Sequence, residues 1–394
     1  MSSQFVFNNN TTVYFGSNKM YGLTREVSLH GKKAMLIIGE ESVKKYKILD
    51  KVMENINVEK IDLIVFEGIT PNPETDNINK AALVCRNENI EVLIALGGGS
   101  VIDTTKAVSM MVNSNTEDVW ELVQHKKEII SPLPIIAIPT TAATGSEMNA
   151  GAIINNNSLK LKSSLSHPKA QPVAAFYNPE FTFSLSAYQT SCGAVDIISH
   201  ILESGFITEY DSMGLLRDVQ ATVMNSVIQN SVVAIKNPYD IKARENLMWA
   251  SAWSLNGFMY ENLNQTPICH IAEHILSGMY PVAHGHGIAI ILPHWLRYIL
   301  FKDEDKCAPI INDLGIRCFS LSNLDEPIKN AYKTIEKLEE YMFITLGLEK
   351  SFSAFDINKQ DLFNKVDETF NGRSAKNVIE INASDIKLIF ENCF

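Results

Sequence analysis

Acidic and imidazole side chains recur at helical spacing in the second half of this sequence. Asp196 and His200 are four residues apart, as are His270 and His274, so each pair would share one face of a helix. His284 follows near a turn that contains proline. One carboxylate with several imidazoles is a common ligand set for a divalent transition metal. A single pair could equally be a surface contact, but two pairs and a further histidine together predict a metal site.

A glycine-rich turn and a hydroxyl-rich turn, each directly after an apolar run, mark the first half. The first turn contains Gly97, Gly98, Gly99 and Ser100, and the second contains Thr140, Thr141, Thr144 and Ser146. Glycines between a strand and a helix let the backbone approach a ligand, and a helix N-terminus attracts pyrophosphate. Taken singly, the turns are equally consistent with a tight turn and a helix N-cap. Because ligands of open α/β sheets bind at the carboxyl ends of strands, the two turns together predict a dinucleotide site.

The elements that must position these residues change in character along the chain. Short apolar runs alternate with helical patterns at first, which predicts an α/β domain with a Rossmann-like parallel sheet. We expect strands at 34–39, 62–67, 91–96, 134–139, 150–154 and 172–177, and helices at 74–86 and 101–112. Later segments, such as 244–263 and 330–348, are long and amphipathic. We therefore predict a dinucleotide-binding domain over 1–187 and an all-helical metal-binding domain over 188–394.

The composition disfavours several classes of protein. The chain of 394 residues has a formal net charge of −11, and an acidic protein repels nucleic-acid phosphates. Hydrophobic residues make up 46% of it, enough for a sizeable core. The six cysteines include no C-x-x-C pair, which favours reduced thiols. With no signal peptide and no apolar run long enough for a bilayer, we predict a cytoplasmic protein without nucleic-acid or membrane partners.

Several segments in this order resemble the iron-containing (group III) alcohol dehydrogenase family. They are FVFNNNTTVYFG, GITPNPE, GGGSVIDTTKAV, PTTAATGSEMN, AVDIISHILE and HIAEHILSGMYPVAHGHGIAIILP, which span most of residues 5–298. GSEMNAGAII and MWASAWSLNG are most similar to its butanol dehydrogenase branch. The resemblance implies a dehydroquinate synthase-like architecture, a homodimer, and an NAD(P)-dependent alcohol dehydrogenase activity.

The resemblance also implies roles for particular residues. It implies a divalent metal, Fe²⁺ in first place with Zn²⁺ as the alternative, held by Asp196, His200, His270 and His284. His286, beside His284, is the alternative for the last ligand. His274 corresponds to a histidine near the nicotinamide that does not bind metal, and is the candidate catalytic residue. The implied dinucleotide contacts are Gly98, Gly99, Ser100, Asp103, Thr140, Thr141 and Thr144, with Asn72 and Lys162 at family positions near the cofactor.

The segment after the first predicted strand bears on the choice of coenzyme. Glu40 and Glu41 follow Gly39 there, where α/β dinucleotide enzymes commonly contact the adenosine ribose. A carboxylate such as Glu40 can accept hydrogen bonds from the ribose of NAD, whereas the extra phosphate of NADP would face like charge. Lys44 and Lys45 follow closely and could offset the two carboxylates. We expect NAD(H) to be preferred over NADP(H).

The neighbours of the predicted metal ligands indicate the kind of substrate. They are apolar rather than basic: Ile197, Ile198, Trp253, Ile271, Leu276 and Met279. We therefore predict hydride transfer between a nicotinamide dinucleotide and a small apolar alcohol or aldehyde. The alternatives are a dehydroquinate synthase-like lyase, which needs basic residues for a charged substrate, a glycerol dehydrogenase-like enzyme, and a catalytically silent metal- or nucleotide-binding protein.

Overall fold

The computed structural model describes residues 6–208, 214–259, 266–322 and 326–394, and the chain divides into two compact units. The first unit comprises Asn8–Ser184, and the second comprises residues 185–394 together with Val6 and Phe7. The structure thus divides the chain three residues before the predicted boundary. It also places Phe7 in the second unit, where its ring lies 5.5 Å from that of Phe258. This contact between segments far apart in sequence could not be predicted from local patterns.

A six-stranded parallel sheet forms the centre of the first unit. Its strands, in chain order, are β1 (Thr12–Phe15), β2 (Lys33–Gly39), β3 (Asp62–Ile69), β4 (Val92–Gly97), β5 (Ile135–Pro139) and β8 (Ala174–Tyr177), with an antiparallel hairpin of β6 (Gly151–Asn156) and β7 (Leu161–Ser166) outside the sheet. The strand order is β1-β8-β5-β4-β2-β3. Adjacent β4 and β5 pair in parallel from Leu93 and Ile135 onward, so the turns that follow them leave the sheet side by side.

Both faces of the central strands are buried, which explains their continuous apolar runs. Successive side chains of β2 alternate between two hydrophobic clusters, with Met35 and Ile37 in one and Leu36 and Ile38 in the other. The helices of this unit are α1 (Leu23–His30), α2 (Ser42–Lys45), α3 (Ile48–Met53), α4 (Thr75–Glu88), α5 (Gly99–Val112) and α6 (Val119–Val123), with 3₁₀ turns at Ser17–Gly22, Ser146–Met148, Pro168–Ala170 and Pro179–Thr182.

The second unit is mainly helical. Its helices are α7 (Ala187–Ile201), α8 (Gly214–Lys236), α9 (Ile241–Ser254), α10 (Ile268–Ser277), α11 (His284–Lys302), α12 (Glu304–Phe319), α13 (Pro327–Glu339), α14 (Lys359–Phe370) and α15 (Ala383–Cys393). π-Helical turns follow α7 and α13, at Leu202–Phe206 and Glu340–Thr345, and a 3₁₀ turn covers Phe352–Ala354. Two short strands, β9 (Ser374–Lys376) and β10 (Glu380–Asn382), form an antiparallel hairpin.

The fold class predicted from the sequence is confirmed, with local differences. The second unit is not all-helical, because the hairpin β9–β10 lies in it. The helix predicted over 244–263 ends at Ser254, shortly before Gly257 adopts a φ of 87°, and residues 260–263 lie outside the described residues. β1 was not predicted, because it is a four-residue strand at the edge of the sheet and lacks a continuous buried run.

Two further findings concern the whole set of described residues. None of their helices combines the length and apolar character needed to cross a membrane. All six cysteines are unpaired thiols, and five of them are buried.

Candidate metal centre and dinucleotide loops

Three helices of the second unit carry the predicted metal ligands. Asp196 and His200 lie one turn apart on α7, which begins at a capping box formed by Ser186 and Gln189. His270 lies in the first turn of α10, and His284 is the first residue of α11. Each ligand is therefore held by regular backbone rather than by a loop, which limits its freedom to move.

Two glycines allow these helices to approach one another. A Cβ atom on Gly285 would lie 2.1 Å from the carbonyl oxygen of Cys192, one turn before Asp196 on α7. A Cβ on Gly287 would lie 2.9 Å from the Cγ of Glu273 on α10. Neither position has room for a side chain, so the two glycines of the HGHG segment bring the start of α11 against α7 and α10.

The ligand atoms converge on one carboxylate oxygen. Oδ1 of Asp196 lies 3.7 Å from Nε2 of His200, 3.7 Å from Nε2 of His270 and 3.4 Å from Nε2 of His284. The ligand atoms of Asp196, His270 and His284 all lie within 4.8 Å of one another. His200 stands at the edge of this group, with its ring stacked on that of His270 at a centroid distance of 4.6 Å.

The unsatisfied atoms of this cluster fit a bound cation. Oδ1 of Asp196 and Nε2 of His270 are buried and have no hydrogen-bond partner among the described residues. Buried polar atoms of this kind are costly unless something binds them. Two ligands of one ion, each at roughly 2.1 Å from it in tetrahedral geometry, are ~3.4 Å apart. The separations around Asp196 are close to that value, and carboxylate and imidazole donors suit Fe²⁺ or Zn²⁺.

Two buried glutamates, which were not identified from the sequence, are hydrogen-bonded to Nδ1 of two of the predicted ligand imidazoles. Nδ1 of His270 lies 2.9 Å from Oε1 of Glu203, and Nδ1 of His284 is hydrogen-bonded to Oε2 of Glu273. With Nδ1–H donating to a carboxylate, Nε2 is the nitrogen of each ring that faces Asp196 and that a metal could bind. Each glutamate lies three residues after a ligand histidine, at helical spacing, and that spacing was the available signal.

Burial and neighbouring charges shift the pKa values of this cluster in opposite directions. Burial lowers the pKa of His200 to about 3, so this imidazole is neutral and able to ligate. Burial would also lower the pKa of His270, but Glu203 and Asp196 outweigh it and raise the value to about 10. Burial acts to raise the pKa of Asp196, yet the surrounding imidazoles, His200 first, hold it well below its usual range. The Asp196 carboxylate is therefore already ionised, whereas a metal that binds Nε2 of His270 would have to displace a proton.

The two remaining histidines of this region differ in their surroundings. His274 is partly exposed, and its ring centroid lies 5.6 Å from that of His284. Both ring nitrogens of His286 already have partners: Nδ1 lies 3.0 Å from the hydroxyl of Tyr188, and Nε2 lies 3.1 Å from the carbonyl oxygen of Glu349. This arrangement favours His284 over His286 as the last ligand.

In the first unit the two predicted dinucleotide loops pack against each other. A Cβ on Gly98 would lie 3.1 Å from the side chain of Thr141, and a Cβ on Gly99 would lie 2.6 Å from that of Thr144. The amide of Thr140 donates to the carbonyl oxygen of Gly97 at 3.0 Å. The glycines are thus required by the close approach of the second loop, at the point where α5 begins.

Asp103 and Ser146 belong to a hydrogen-bond network that connects the second loop to α5 and β6. Oγ of Ser146 donates to Oδ1 of Asp103, whose Oδ2 accepts from the amide of Ile153 at 2.9 Å. Nζ of the fully buried Lys106 donates to Oγ of Ser146 at 2.8 Å and to the carbonyl oxygen of Gly151 at 2.6 Å. Burial lowers the pKa of Lys106 to about 8. The side chains of Asp103 and Ser146 therefore fasten the second loop to α5 and to β6.

The other predicted dinucleotide contacts lie around these loops. The amide of Asn72 donates to Oγ of Ser100 at 3.2 Å, with Asn72 itself in a left-handed conformation at φ 69°. Lys162 lies on β7, and its charge acts on the carboxyl of Asp103. Glu40 is exposed and directly follows β2, the strand beside β4.

Comparison with known proteins identifies the class of this chain. The sequence model named "Iron-containing alcohol dehydrogenase" matches residues 10–179, and the model of the C-terminal region of the Fe-containing alcohol dehydrogenase family matches residues 190–394. The chain therefore belongs to the iron-containing alcohol dehydrogenase family, and it is a metal-dependent alcohol/aldehyde oxidoreductase. The predicted family is confirmed, and the lyase and silent-protein alternatives gain no support.

Individual relatives match between about three quarters and nearly all of the chain. NADH-dependent butanol dehydrogenase B of Clostridium acetobutylicum is 31% identical over 384 residues, which cover 97% of each chain. An NADPH-dependent aldehyde reductase of Escherichia coli is 32% identical over 285 residues, 72% of this chain and 73% of that one. The crystal structure of NADH-dependent butanol dehydrogenase A from Thermotoga maritima superimposes with a TM-score of 0.91 at 28% identity, covering 99% of this chain and 98% of that one.

The first prediction concerns the four proposed ligands. We expect His200→Ala and His284→Ala each to weaken metal binding strongly. The loss should exceed the roughly 10- to 100-fold that is typical when a residue hydrogen-bonded to a ligand is replaced. His274→Phe is the matched control, because it alters a neighbouring imidazole outside the proposed set and should keep the metal while turnover falls. Metal content after dialysis, measured by atomic emission, distinguishes the variants. Full metal content in the His200 or His284 variant would remove that residue from the ligand set.

The second prediction concerns Lys106. Lys106→Met removes the hydrogen bonds from Nζ to Ser146, Asn149 and Gly151 and leaves these acceptors without that donor, which should lower the free energy of unfolding by about 3–5 kcal/mol. The pKa of Lys106 is about 8 in the folded protein and ordinarily 10.5, so the folded state releases its proton first as pH rises. Wild-type stability therefore rises across this window, and the difference from the variant should grow by roughly 2 kcal/mol between pH 8 and 10.

Urea denaturation of both proteins at the two pH values measures this difference. Lys51→Met is the control, because it removes an exposed ion pair with Glu180, at 3.1 Å, and should change stability by less than about 0.5 kcal/mol at either pH. A difference for Lys106→Met that stays constant, or narrows, from pH 8 to 10 would contradict the assignment.

Proposed function

We propose that this chain catalyses reversible hydride transfer between NAD(H) and a short, uncharged primary alcohol or aldehyde. The observation that carries the proposal is the convergence of Oδ1 of Asp196 with three imidazole nitrogens, in a chain of the iron-containing alcohol dehydrogenase family. The names of the butanol dehydrogenase relatives support the alcohol and aldehyde class of substrate.

In this proposal Asp196, His200, His270 and His284 hold a divalent metal. When bound, the metal supplies Lewis acidity toward the substrate oxygen, and the nicotinamide supplies or accepts the hydride. The family name favours Fe²⁺, and the donor set accepts Zn²⁺ as well. His274 is partly exposed beside His284, so its imidazole can take up or release the proton of the substrate hydroxyl.

The two loops of the first unit are the proposed binding site for the dinucleotide. The backbone around Gly98, Gly99 and Ser100 opens α5, whose N-terminus favours an anionic pyrophosphate. Thr141 and Thr144 line the same turn and offer hydroxyl groups. Asp103 and Ser146 contribute by holding the loops in place through Lys106, and we propose a positioning role for both.

The apolar residues around the ligands support a small apolar substrate only in part. Ile197, Ile198 and Leu276 are buried in the core, so they shape the unit rather than face a ligand. Trp253, Ile271 and Met279 remain partly exposed and are the ones able to contact an alkyl chain.

The charges after β2 support NAD(H) as the preferred coenzyme. Glu40 and Glu41 are both exposed at the end of this strand. Lys44, which could have offset them, forms an ion pair with Glu67 of β3, and Lys45 lies 5.6 Å from the centre of a tyrosine ring. The two carboxylates are therefore left to repel the additional phosphate of NADP. The names of several relatives as NADH-dependent agree with this proposal.

The compartment and the oligomeric state stay predictions. Six unpaired cysteines support a reducing environment such as the cytoplasm. A homodimer is implied by the family resemblance, and sedimentation of the purified chain would measure it.

The third prediction is the activity itself. Purified, Fe²⁺-loaded protein should oxidise NADH when butanal is added, and the fall in absorbance of the reduced cofactor measures the rate. We expect kcat/KM for aldehydes of three to six carbons to exceed that for glycerol by at least about tenfold, because apolar side chains bind an alkyl chain more favourably than a chain of hydroxyl groups. Asp196→Asn, with one ligand oxygen replaced, is the inactive control. Equal or higher kcat/KM with glycerol would favour the glycerol dehydrogenase-like alternative instead.

The fourth prediction is a coenzyme preference of roughly ten- to a hundredfold for NADH over NADPH, equivalent to about 1.4–2.8 kcal/mol. The double variant Glu40→Gln, Glu41→Gln removes the charge and keeps the size of both side chains, whereas Glu40→Gly, Glu41→Gly also creates space. If charge decides the preference, both variants should narrow it to a similar extent. Comparison of kcat/KM for the two coenzymes at one saturating butanal concentration gives the answer, and a wild-type preference for NADPH would refute the assignment.

A further inference from the structure

A single buried glutamate links two of the helices at the candidate metal centre. Glu203 lies in the π-helical turn Leu202–Phe206, three residues after His200, and is fully buried. Its Oε2 accepts hydrogen bonds from the amides of Cys269 at 2.6 Å and His270 at 3.3 Å, and its Oε1 lies 2.9 Å from Nδ1 of His270. One carboxylate thus satisfies the first amides of α10 and orients a ligand imidazole.

This capping from a distant segment is needed because α10 lacks a cap of its own. The residue before the helix is Pro267, whose side chain makes no capping hydrogen bond. The π-helical turn is itself tightly fitted, because a Cβ on Gly205 would lie 2.3 Å from the carbonyl oxygen of Met259. The position of Glu203 relative to α10 therefore decides where Nε2 of His270 points.

The hairpin β9–β10 fastens Glu203 to the start of α10. Asn377, between the two strands, is 2% exposed. Its Nδ2 donates to the carbonyl oxygen of Glu203 at 2.9 Å and to that of Thr266 at 3.0 Å, just before α10. Its Oδ1 accepts from the amide of Val378 at 2.7 Å, and the amide of Thr266 donates to the carbonyl oxygen of Lys376 at 3.0 Å.

We infer that Asn377 is a positioning residue for the metal, acting through Glu203 and His270 without touching a ligand. The inference rests on the metal site proposed above. Loss of the two Nδ2 hydrogen bonds removes a donor shared by the carbonyl groups of Glu203 and Thr266 and lets the π-helical turn move against α10. The imidazole of His270 then loses its fixed orientation, and the rate at which the metal leaves the protein rises.

The test measures zinc release from the full-length chain. Wild type and variants are loaded with Zn²⁺, mixed with an excess of a chromophoric chelator at pH 7.5, and followed until transfer is complete. We expect Glu203→Gln to release zinc roughly 10- to 100-fold faster than wild type, as for other partners of ligand histidines. Asn377→Asp, which keeps the shape and the Oδ1 acceptor but loses both donors, should release it roughly 5- to 20-fold faster.

Asn330 provides a matched control in the same unit. It is 1% exposed, and its Nδ2 also donates twice, to Oδ1 of Asn312 at 2.9 Å and to the carbonyl oxygen of Ser322 at 2.8 Å. Asn330→Asp should therefore lower the melting temperature of the metal-free protein as Asn377→Asp does, but should leave the rate of zinc release within twofold of wild type. If Asn377→Asp does not fold, Asn377→Ser, which keeps one donor, is compared with Asn330→Ser in the same way.

The outcomes separate this inference from the proposed function. Wild-type protein that retains no zinc would overturn both the metal site and the role of Asn377. Wild-type retention with release from Asn377→Asp within twofold of wild type would overturn the role of Asn377 alone. Equal acceleration by the Asn330 and Asn377 variants would show a general loss of stability and would also overturn it.

Discussion

Burying the Asp196 carboxylate removes a negative charge from water, and compensation has to be supplied at that point in the fold. Three imidazoles from three helices face the same oxygen, and glutamates behind two of them bring in further negative charge. A bound cation of charge two would offset two of these three negative charges. The arrangement of α7, α10 and α11, including the glycines that let them approach, follows from this electrostatic requirement.

In the first unit a lysine side chain, rather than a metal ion, supplies the positive charge near a carboxylate. Lys106 is fully buried beneath the two dinucleotide loops and is hydrogen-bonded to side-chain and backbone oxygens. Its charge compensates Asp103, and the two together hold Ser146. The surface that would meet an anionic cofactor is thus left to backbone amides and threonine hydroxyls, while the charged groups stabilise the loops from below.

The sequence predicts much of this because many of the signals are local. The apolar runs identified the central strands, and helical spacing brought out Asp196, His200 and His270. Contacts between distant segments have no such signal. Glu203 and Cys269 are 66 residues apart, and Asn377 lies 174 residues from Glu203, so the capping of α10 could not be deduced from either position. Asp103 and Ser146 show a related limit: their motif indicates a loop near a nucleotide, but only the fold shows that their side chains bond to each other.

The six unpaired cysteines have a consequence for an enzyme that handles reactive carbonyl compounds. Burial raises the pKa of all six thiols: that of Cys192 to about 11, those of Cys85, Cys307 and Cys318 to about 12, and those of Cys269 and Cys393 well above the usual value. Because the thiolate is the nucleophile, a protonated thiol adds slowly to an aldehyde and is oxidised slowly by peroxide. Burial therefore lowers the reactivity of these sulfur atoms toward an aldehyde substrate.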